Sequence, residues 1–404
     1  MKFRSVLVRS VAILSMLALL LGTLAACSGN GKRKESEKEN GNGNKEEDKT
    51  FEKIFGSLSD VVYDPLDHID PPALSEIVIN KSDVNVSVSY ELAKAVMSGA
   101  ENTSYTEKGS ATLSLYDTAR ISYKGLPADE NIELSEETIA GMSSEYQKDG
   151  VDLVIGSGSF IGAYKGKHED RYNEGFEDQL IGMSVGDERV IRVTFPDLYT
   201  TEELCGIEVD FTVKLISISR PKTDSFVPTD EQCDKYTDGK YKTLDEFRTY
   251  LENICVGSFA YSMFVVDTKE KEPCKELVDI YLDRLIHSHV LSQNGSSLSK
   301  EDYNKAYSEI KSSMHDLLYP QAVSSAYSYI KDNYIFGLCE VSVTEKEVSD
   351  AIAADWETNS WYYKYYYGIN DIEEFTERID IESLERQLKL TKLYEKLADK
   401  VALK

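Results

Sequence analysis

From Ile207 to Leu215 apolar and polar residues alternate without a break. Ile207, Val209, Phe211, Val213 and Leu215 fall on one side; Glu208, Asp210, Thr212 and Lys214 fall on the other. A period of two fits a half-buried strand and not a helix, which would scatter those five apolar residues around its circumference. Ile191, Val193 and Phe195 repeat the pattern against Arg192 and Thr194. Glycine-bearing stretches, GSGS at 156–159 and VGD at 185–187, separate such runs. The alternation spans about 111–218 and then gives way, from about 229, to helical spacing. Thr243 with Glu246 and Thr344 with Glu347 read as capping boxes, each opening an amphipathic run. Leu384, Leu388, Leu390, Leu393, Leu397 and Val401 share one broad face of a C-terminal helix. Strands followed by separate helices predict an α+β domain joined to an all-α domain. Before them, Ile77, Val78 and Ile79 predict a strand and 88–98 a helix, packed on their neighbours. No internal repeat is found.

The N-terminus predicts export. Lys2, Arg4 and Arg9 precede an apolar run over 11–21 that is too short to span a bilayer. Leu24-Ala25-Ala26-Cys27 follows and resembles a bacterial lipobox, which implies a lipid on Cys27 after cleavage at 26. Residues 28–50 hold no large apolar side chain and cannot drive folding. As a flexible coil they would span roughly 25–30 Å, enough for a tether. The formal charge of −26 argues against nucleic acid as a partner, and loss of the three basic leader residues makes the chain more acidic still. No later stretch is long and apolar enough to span a bilayer.

Catalytic motifs are few. Beyond Cys27, Cys205, Cys233, Cys255, Cys274 and Cys339 are widely spread, with no CxxC pair. They suit neither a disulfide framework nor a zinc site, and one disulfide stays open as an alternative. His168, Glu169 and Asp170 read as a solvated charge cluster, and His287 and His289 as surface positions. No metal or cofactor is expected. GxSxG, Walker and HExxH patterns are missing, so hydrolase and NTPase readings have no motif support.

The segments IGSGSFI (155–161), GFEDQLIGMSVGDE (175–188), VTFPDLY (193–199) and EELCGIEVDFTVKLISI (202–218), with DTARISYKG (117–125) upstream, resemble the FKBP-type domain of bacterial trigger factors. YKTLDEFRTYLEN (241–253), CEVSVTEKEVSDAI (339–352), YGINDIEEF (367–375) and ESLERQLKLTKLYEKLADK (382–400) resemble that family's C-terminal domain, and YDPLDHIDPPALSEIVI (63–79) its entry strand more weakly. The resemblance implies an FKBP-like antiparallel sheet with a short helix, then an all-α arm domain. The expected divisions are a signal peptide over 1–26, a lipidated tether over 27–50, a linker segment over 51–105, an isomerase domain over 106–218 and a helical domain over 219–404. The family's ribosome-docking domain has no counterpart in the sequence, so no ribosome is expected as a partner.

Prolyl isomerisation needs no nucleophile or metal. Resonance holds a peptide bond planar behind a barrier of about 18–20 kcal/mol. Twisting it reduces charge separation on the carbonyl, so a water-excluding apolar pocket favours the twisted state. The resemblance places Tyr123, Phe160, Ile161, Phe176, Tyr199 and Phe211 in that pocket, with Phe176 as the floor and the Tyr199 hydroxyl on the substrate carbonyl. Ile132 and Val151 stand where the family usually has phenylalanine, and Glu133 falls at its acidic position. Residues 162–174 and 134–148 read as insertions near the pocket.

SWYYKYYYG at 360–368 carries six aromatics in nine residues, just after Trp356. No single helical face buries them all. Trp361, Tyr363 and Tyr366 are expected to contact unfolded chains, the alternative being a hairpin core built from the same rings. The sequence thus leads to a lipid-anchored foldase on the outer face of the cell membrane. It would isomerise X-Pro bonds and hold newly exported, unfolded polypeptides. A pure holdase on a degenerate FKBP scaffold is the second reading. A solute-binding lipoprotein is the third, but it needs two similar α/β lobes and no βαβ repeat is seen.

Overall fold

The computed structural model describes residues 57–144, 149–158, 175–195, 201–294 and 299–404. The chain divides into two units: Val78–Val256 with Leu403–Lys404, and Gly257–Ala402 with the residues up to Ile77.

The first unit is built on an antiparallel sheet of five strands: β1 (Asn102–Tyr105), β2 (Thr118–Pro127), β3 (Val151–Val154), β4 (Glu188–Thr194) and β5 (Glu208–Pro221). One edge of β5 pairs with β2 along Val209–Ser219, and β2 pairs in turn with β3. The remaining edge is shared, with β4 along Glu208–Lys214 and β1 along Ile218–Pro221. The alternation from Val209 to Leu215 appears as a buried face. It then changes parity. Arg120 pairs with Ser217 and Ile121 with Leu215, so Ile216 is an extra residue in β5, and the next buried side chain is Ile218. A one-residue bulge moves every later side chain to the other face, which lets one strand continue inward packing past a bend.

The short helix α3 (Phe176–Leu180) lies against β4 and buries Phe176 and Leu180. Its N-cap is Gly175, and the acidic Glu177 and Asp178 occupy its first turn, where the helix dipole favours them. Helix α1 (Lys81–Met97), longer than the sequence spacing predicts, is capped by Asn80 and buries Val84, Val88 and Leu92. The division at Val256/Gly257 differs from the boundary expected near 218. An aromatic seam ties Phe226 to the first unit: Tyr116, just before β2, packs edge-on to Phe226 at 4.8 Å and lies 6.3 Å from Tyr90 of α1.

The second unit is helical. Helix α5 (Leu244–Asp267) opens in the first unit; α6 (Lys275–Asn294), α7 (Lys300–Ser313), α8 (His315–Leu338), α9 (Glu345–Tyr362), α10 (Ile372–Arg378) and α11 (Ile381–Leu397) follow. Both expected capping boxes form. Glu246 N–H donates to Thr243 Oγ1 while Thr243 N–H donates to the Glu246 carboxylate, and Thr344 with Glu347 does the same. A third box, Thr229 with Gln232, opens α4 (Asp230–Tyr236). Buried Asp332 on α8 accepts from the Tyr261 hydroxyl at 2.5 Å and from Arg386 Nε, which ties α5, α8 and α11 together around one paired charge.

His287 corrects the expectation of a surface position. It is half-buried, with Nδ1 2.7 Å from the Tyr303 hydroxyl, and burial pushes its imidazole below its ordinary value of 6.5. Cys205, Cys233, Cys255, Cys274 and Cys339 are all free thiols, so the disulfide alternative is not realised among the described residues.

Gly125 on β2 faces Phe211. A Cβ there would stand 2.6 Å from Phe211 Cε1 and 3.0 Å from Val209 Cγ1. Gly125→Ala is therefore expected to destabilise the chain by about 1–3 kcal/mol through overpacking. Urea unfolding would measure this, and an unchanged midpoint would show that the ring has room to move.

Candidate functional site

Three rings from three elements meet inside the sheet. Phe211 comes from β5, Tyr123 from β2, and Phe176 from the first position of α3. Phe176 and Phe211 lie 5.3 Å apart at 78°, Tyr123 and Phe176 6.0 Å apart at 79°, and Tyr123 and Phe211 6.1 Å apart at 63°. These edge-to-face contacts set positive ring edges against negative faces and fix each ring's orientation. Phe195 adds a fourth ring 6.3 Å from Phe211. Phe176 is 0% and Phe211 1% exposed. Tyr123 is half-buried, so what solvent reaches the trio meets it at the tyrosine.

Ile132 and Glu133 are not part of the buried cluster that holds these rings. Glu133 is exposed, and Ile132, half-buried, lies outside the packed cluster. Residues 142–144 run beside β2. Gly125 N–H donates to Met142 O at 2.9 Å, Ser144 N–H donates to Tyr123 O at 3.0 Å, and Tyr123 N–H donates to Ser144 Oγ at 2.8 Å. Met142, 4% exposed, joins the core with Phe176 and Phe211. The extra residues therefore lie before the pairing segment, and a thioether and a neutral hydroxyl flank Tyr123. Helix α2 (Glu136–Gly141) occupies this excursion, capped by Ser135. Glu203 holds it: its Oε2 accepts from Thr138 Oγ1 at 2.6 Å and from Ser135 Oγ at 2.8 Å. Those bonds keep the Glu203 carboxyl below the usual carboxylate range.

Val151 pairs with Ile121 and is half-buried at the start of β3, on the same face as Leu153. Phe160, Ile161, Tyr199, Cys27 and the His168 cluster lie outside the described residues. A residue the sequence reading missed is Glu177. Its buried carboxylate accepts from Gly156 N–H at 2.8 Å, Gly158 N–H at 3.0 Å and Ser157 Oγ at 2.8 Å. Position alone hinted at it, since Glu177 directly follows the expected floor residue Phe176.

In the helical unit Trp361 is 66% and Tyr365 78% exposed. Tyr363 corrects the expectation of a contact surface. Its ring is 1% exposed, tilted 4.5 Å from Phe375 and stacked 6.3 Å from Trp356, and its hydroxyl donates to Asp355 Oδ2 at 2.9 Å. Trp356 and Tyr363 are seven residues apart, two helical turns, and so share the inward face. The side chain of Tyr366 is outside the described residues. Among the described residues no cluster of three or more His, Cys, Asp or Glu is placed to hold a metal ion, and no helix is long and apolar enough to cross a membrane.

Residues 109–216, which hold the antiparallel sheet, the short helix and the aromatic cluster, match the family described as FKBP-type peptidyl-prolyl cis-trans isomerase. Over a longer stretch the chain is similar to trigger factors. Trigger factor from Staphylococcus carnosus (strain TM300) is 26% identical over 247 residues, which are 59% of this chain and 50% of that protein. Trigger factor from Pelotomaculum thermopropionicum is 28% identical over 246 residues, 58% of this chain and 50% of that protein. The chain thus spans about half the length of these relatives. A solved trigger factor chaperone matches with a TM-score of 0.22 and 13% identity, over 82% of this chain and 73% of that one.

Phe176→Ala is expected to cost roughly 3–5 kcal/mol of stability, because the ring is fully enclosed. Phe176→Leu should cost less and leave β5 paired. Thermal melting of both variants checks the order, and equal melting points would contradict it.

Proposed function

We propose that the chain is a peptidyl-prolyl cis-trans isomerase that also holds unfolded polypeptides, tethered by a lipid on Cys27 at the outer face of the cell membrane. The observation that carries the catalytic part is the Tyr123–Phe176–Phe211 cluster inside the family-matched segment. A proline ring packed at the Tyr123 edge would meet apolar side chains and little water. The twisted amide, with its reduced charge separation, loses less there than the planar one. X-Pro isomerisation is slow enough to limit folding, so even modest acceleration helps a client. The test is isomerisation of a short X-Pro peptide by the full chain. Phe176→Leu should lower the rate by roughly tenfold, about 1.4 kcal/mol of transition-state stabilisation. An unchanged rate would remove the cluster from the site.

The near-complete enclosure of Phe176 and Phe211 favours one competing reading, a scaffold that holds clients without catalysis. An inactive wild-type chain that still suppresses aggregation of a denatured protein would select it.

Client holding is supported by Trp361 and Tyr365, large rings left in solvent on a chain whose acidity opposes self-association. Each ring buried against a client contributes at about 25 cal/mol per Å². Trp361→Ser with Tyr365→Ser should weaken binding to an unfolded protein several-fold and change melting little, because both rings are mostly in solvent. Full binding in this double variant would overturn the assignment.

The export signal and lipobox-like motif support the location, away from ribosomes. Cys27→Ser should release the protein from membranes or leave it unprocessed. Unchanged acylation and membrane association would refute the anchor.

A further inference from the structure

Helix α3 cannot orient itself. It has five residues, a glycine N-cap without a side-chain capping bond, and too little length for intrinsic stability. Its placement must come from tertiary contacts. Phe176 and Leu180 supply the apolar side by entering the core. The polar side rests on Glu177, 5% exposed, whose Oε2 takes the N–H groups of Gly156 and Gly158 and whose Oε1 takes the Ser157 hydroxyl. A buried carboxylate is tolerable only with such donors, and charge-assisted bonds are the strong ones. The turn it grips is specialised. Gly156 has φ +89, and a Cβ there would meet Leu115 Cδ1 at 2.6 Å. Behind it Tyr116 holds φ 66, its N–H on Ile155 O and its ring on Phe226.

We propose that Glu177 is a positioning residue for prolyl isomerisation. It locks the Gly156–Gly158 turn to α3 and so sets the angle at which the adjacent Phe176 ring faces Tyr123 and Phe211. Tyr90 and Phe226, which lie outside residues 109–216, back this turn through Tyr116. The inference rests on the isomerase reading above.

The experiment compares the full-length wild type, Glu177→Gln and Glu177→Ala by isomerisation of a short X-Pro peptide and by hydrogen exchange at 150–158 and along β5. Small misplacements of positioned groups are costly, so Glu177→Ala should lose roughly tenfold or more in kcat/KM. Exchange at Gly156 and Gly158 should rise while β5 stays protected. The glutamine amide oxygen can accept both glycine N–H groups and its nitrogen can donate to Ser157 Oγ, so Glu177→Gln should stay within about threefold of wild type. If Glu177→Ala does not fold, Ser157→Ala, which removes one bond, should give an intermediate loss. Wild-type kcat/KM in Glu177→Ala, or in Ser157→Ala where Glu177→Ala does not fold, overturns the inference. So does a glutamine variant as slow as the alanine one, because charge and not geometry would then be the cause. An inactive wild type would instead overturn the isomerase reading, and exchange alone would then decide the clamp.

Discussion

The Phe211 ring lies against bare backbone at Gly125, and much of the sheet unit follows from that contact. The strand that carries Phe211 bonds β2 along one edge and both β4 and β1 along the other, so it is the common partner of three strands. Its inward residues supply more of the core than those of any other strand. With no Cβ at Gly125 the ring can approach the β2 backbone closely, beside Phe176 and Tyr123. A side chain at Gly125 would push Phe211 into the place those rings occupy. Fold and candidate site are therefore one packing problem, and stability and ring geometry cannot be varied independently here.

Polar groups orient what the apolar core only gathers. Hydrophobic burial is non-directional and tolerates many arrangements of similar volume. Glu177 on the Gly156–Gly158 turn, Glu203 on the cap of α2, and Asp332 between Tyr261 and Arg386 each select one arrangement, because every acceptor has fixed donors at hydrogen-bond distance. In each case the carboxylate comes from one segment and the donors from another, far away in sequence. Such bonds contribute modestly when made and cost more when one partner is lost.

The alternation at 207–215, the capping boxes and the inward residues of the last helix were readable because each depends on spacing within one segment. Leu384, Leu393 and Leu397 are buried as that spacing implies. The place of the extra residues around 134–148 was not readable, because an insertion can be set on either side of a short pairing segment without changing the local pattern. Only the backbone bonds between 142–144 and β2 decide between the two. Glu177 was hard to pick out for a different reason: it is one of 71 acidic residues, and only its place after Phe176 hints at burial.

The aromatic run divides the two kinds of information most sharply. The sequence determined that some rings between Trp361 and Tyr367 must be exposed, because no helical face is wide enough for all of them. It also determined the strand and helix periods and the acidity, all of which are properties of composition and near neighbours. Tertiary structure decided that Tyr363 goes inward onto Phe375 and Asp355 while Trp361 and Tyr365 stay out. It likewise decided that Met142 and not Ile132 reaches the Phe176 cluster. Burial is set by which distant surface a side chain meets, and that partner is chosen only when the chain has folded back on itself.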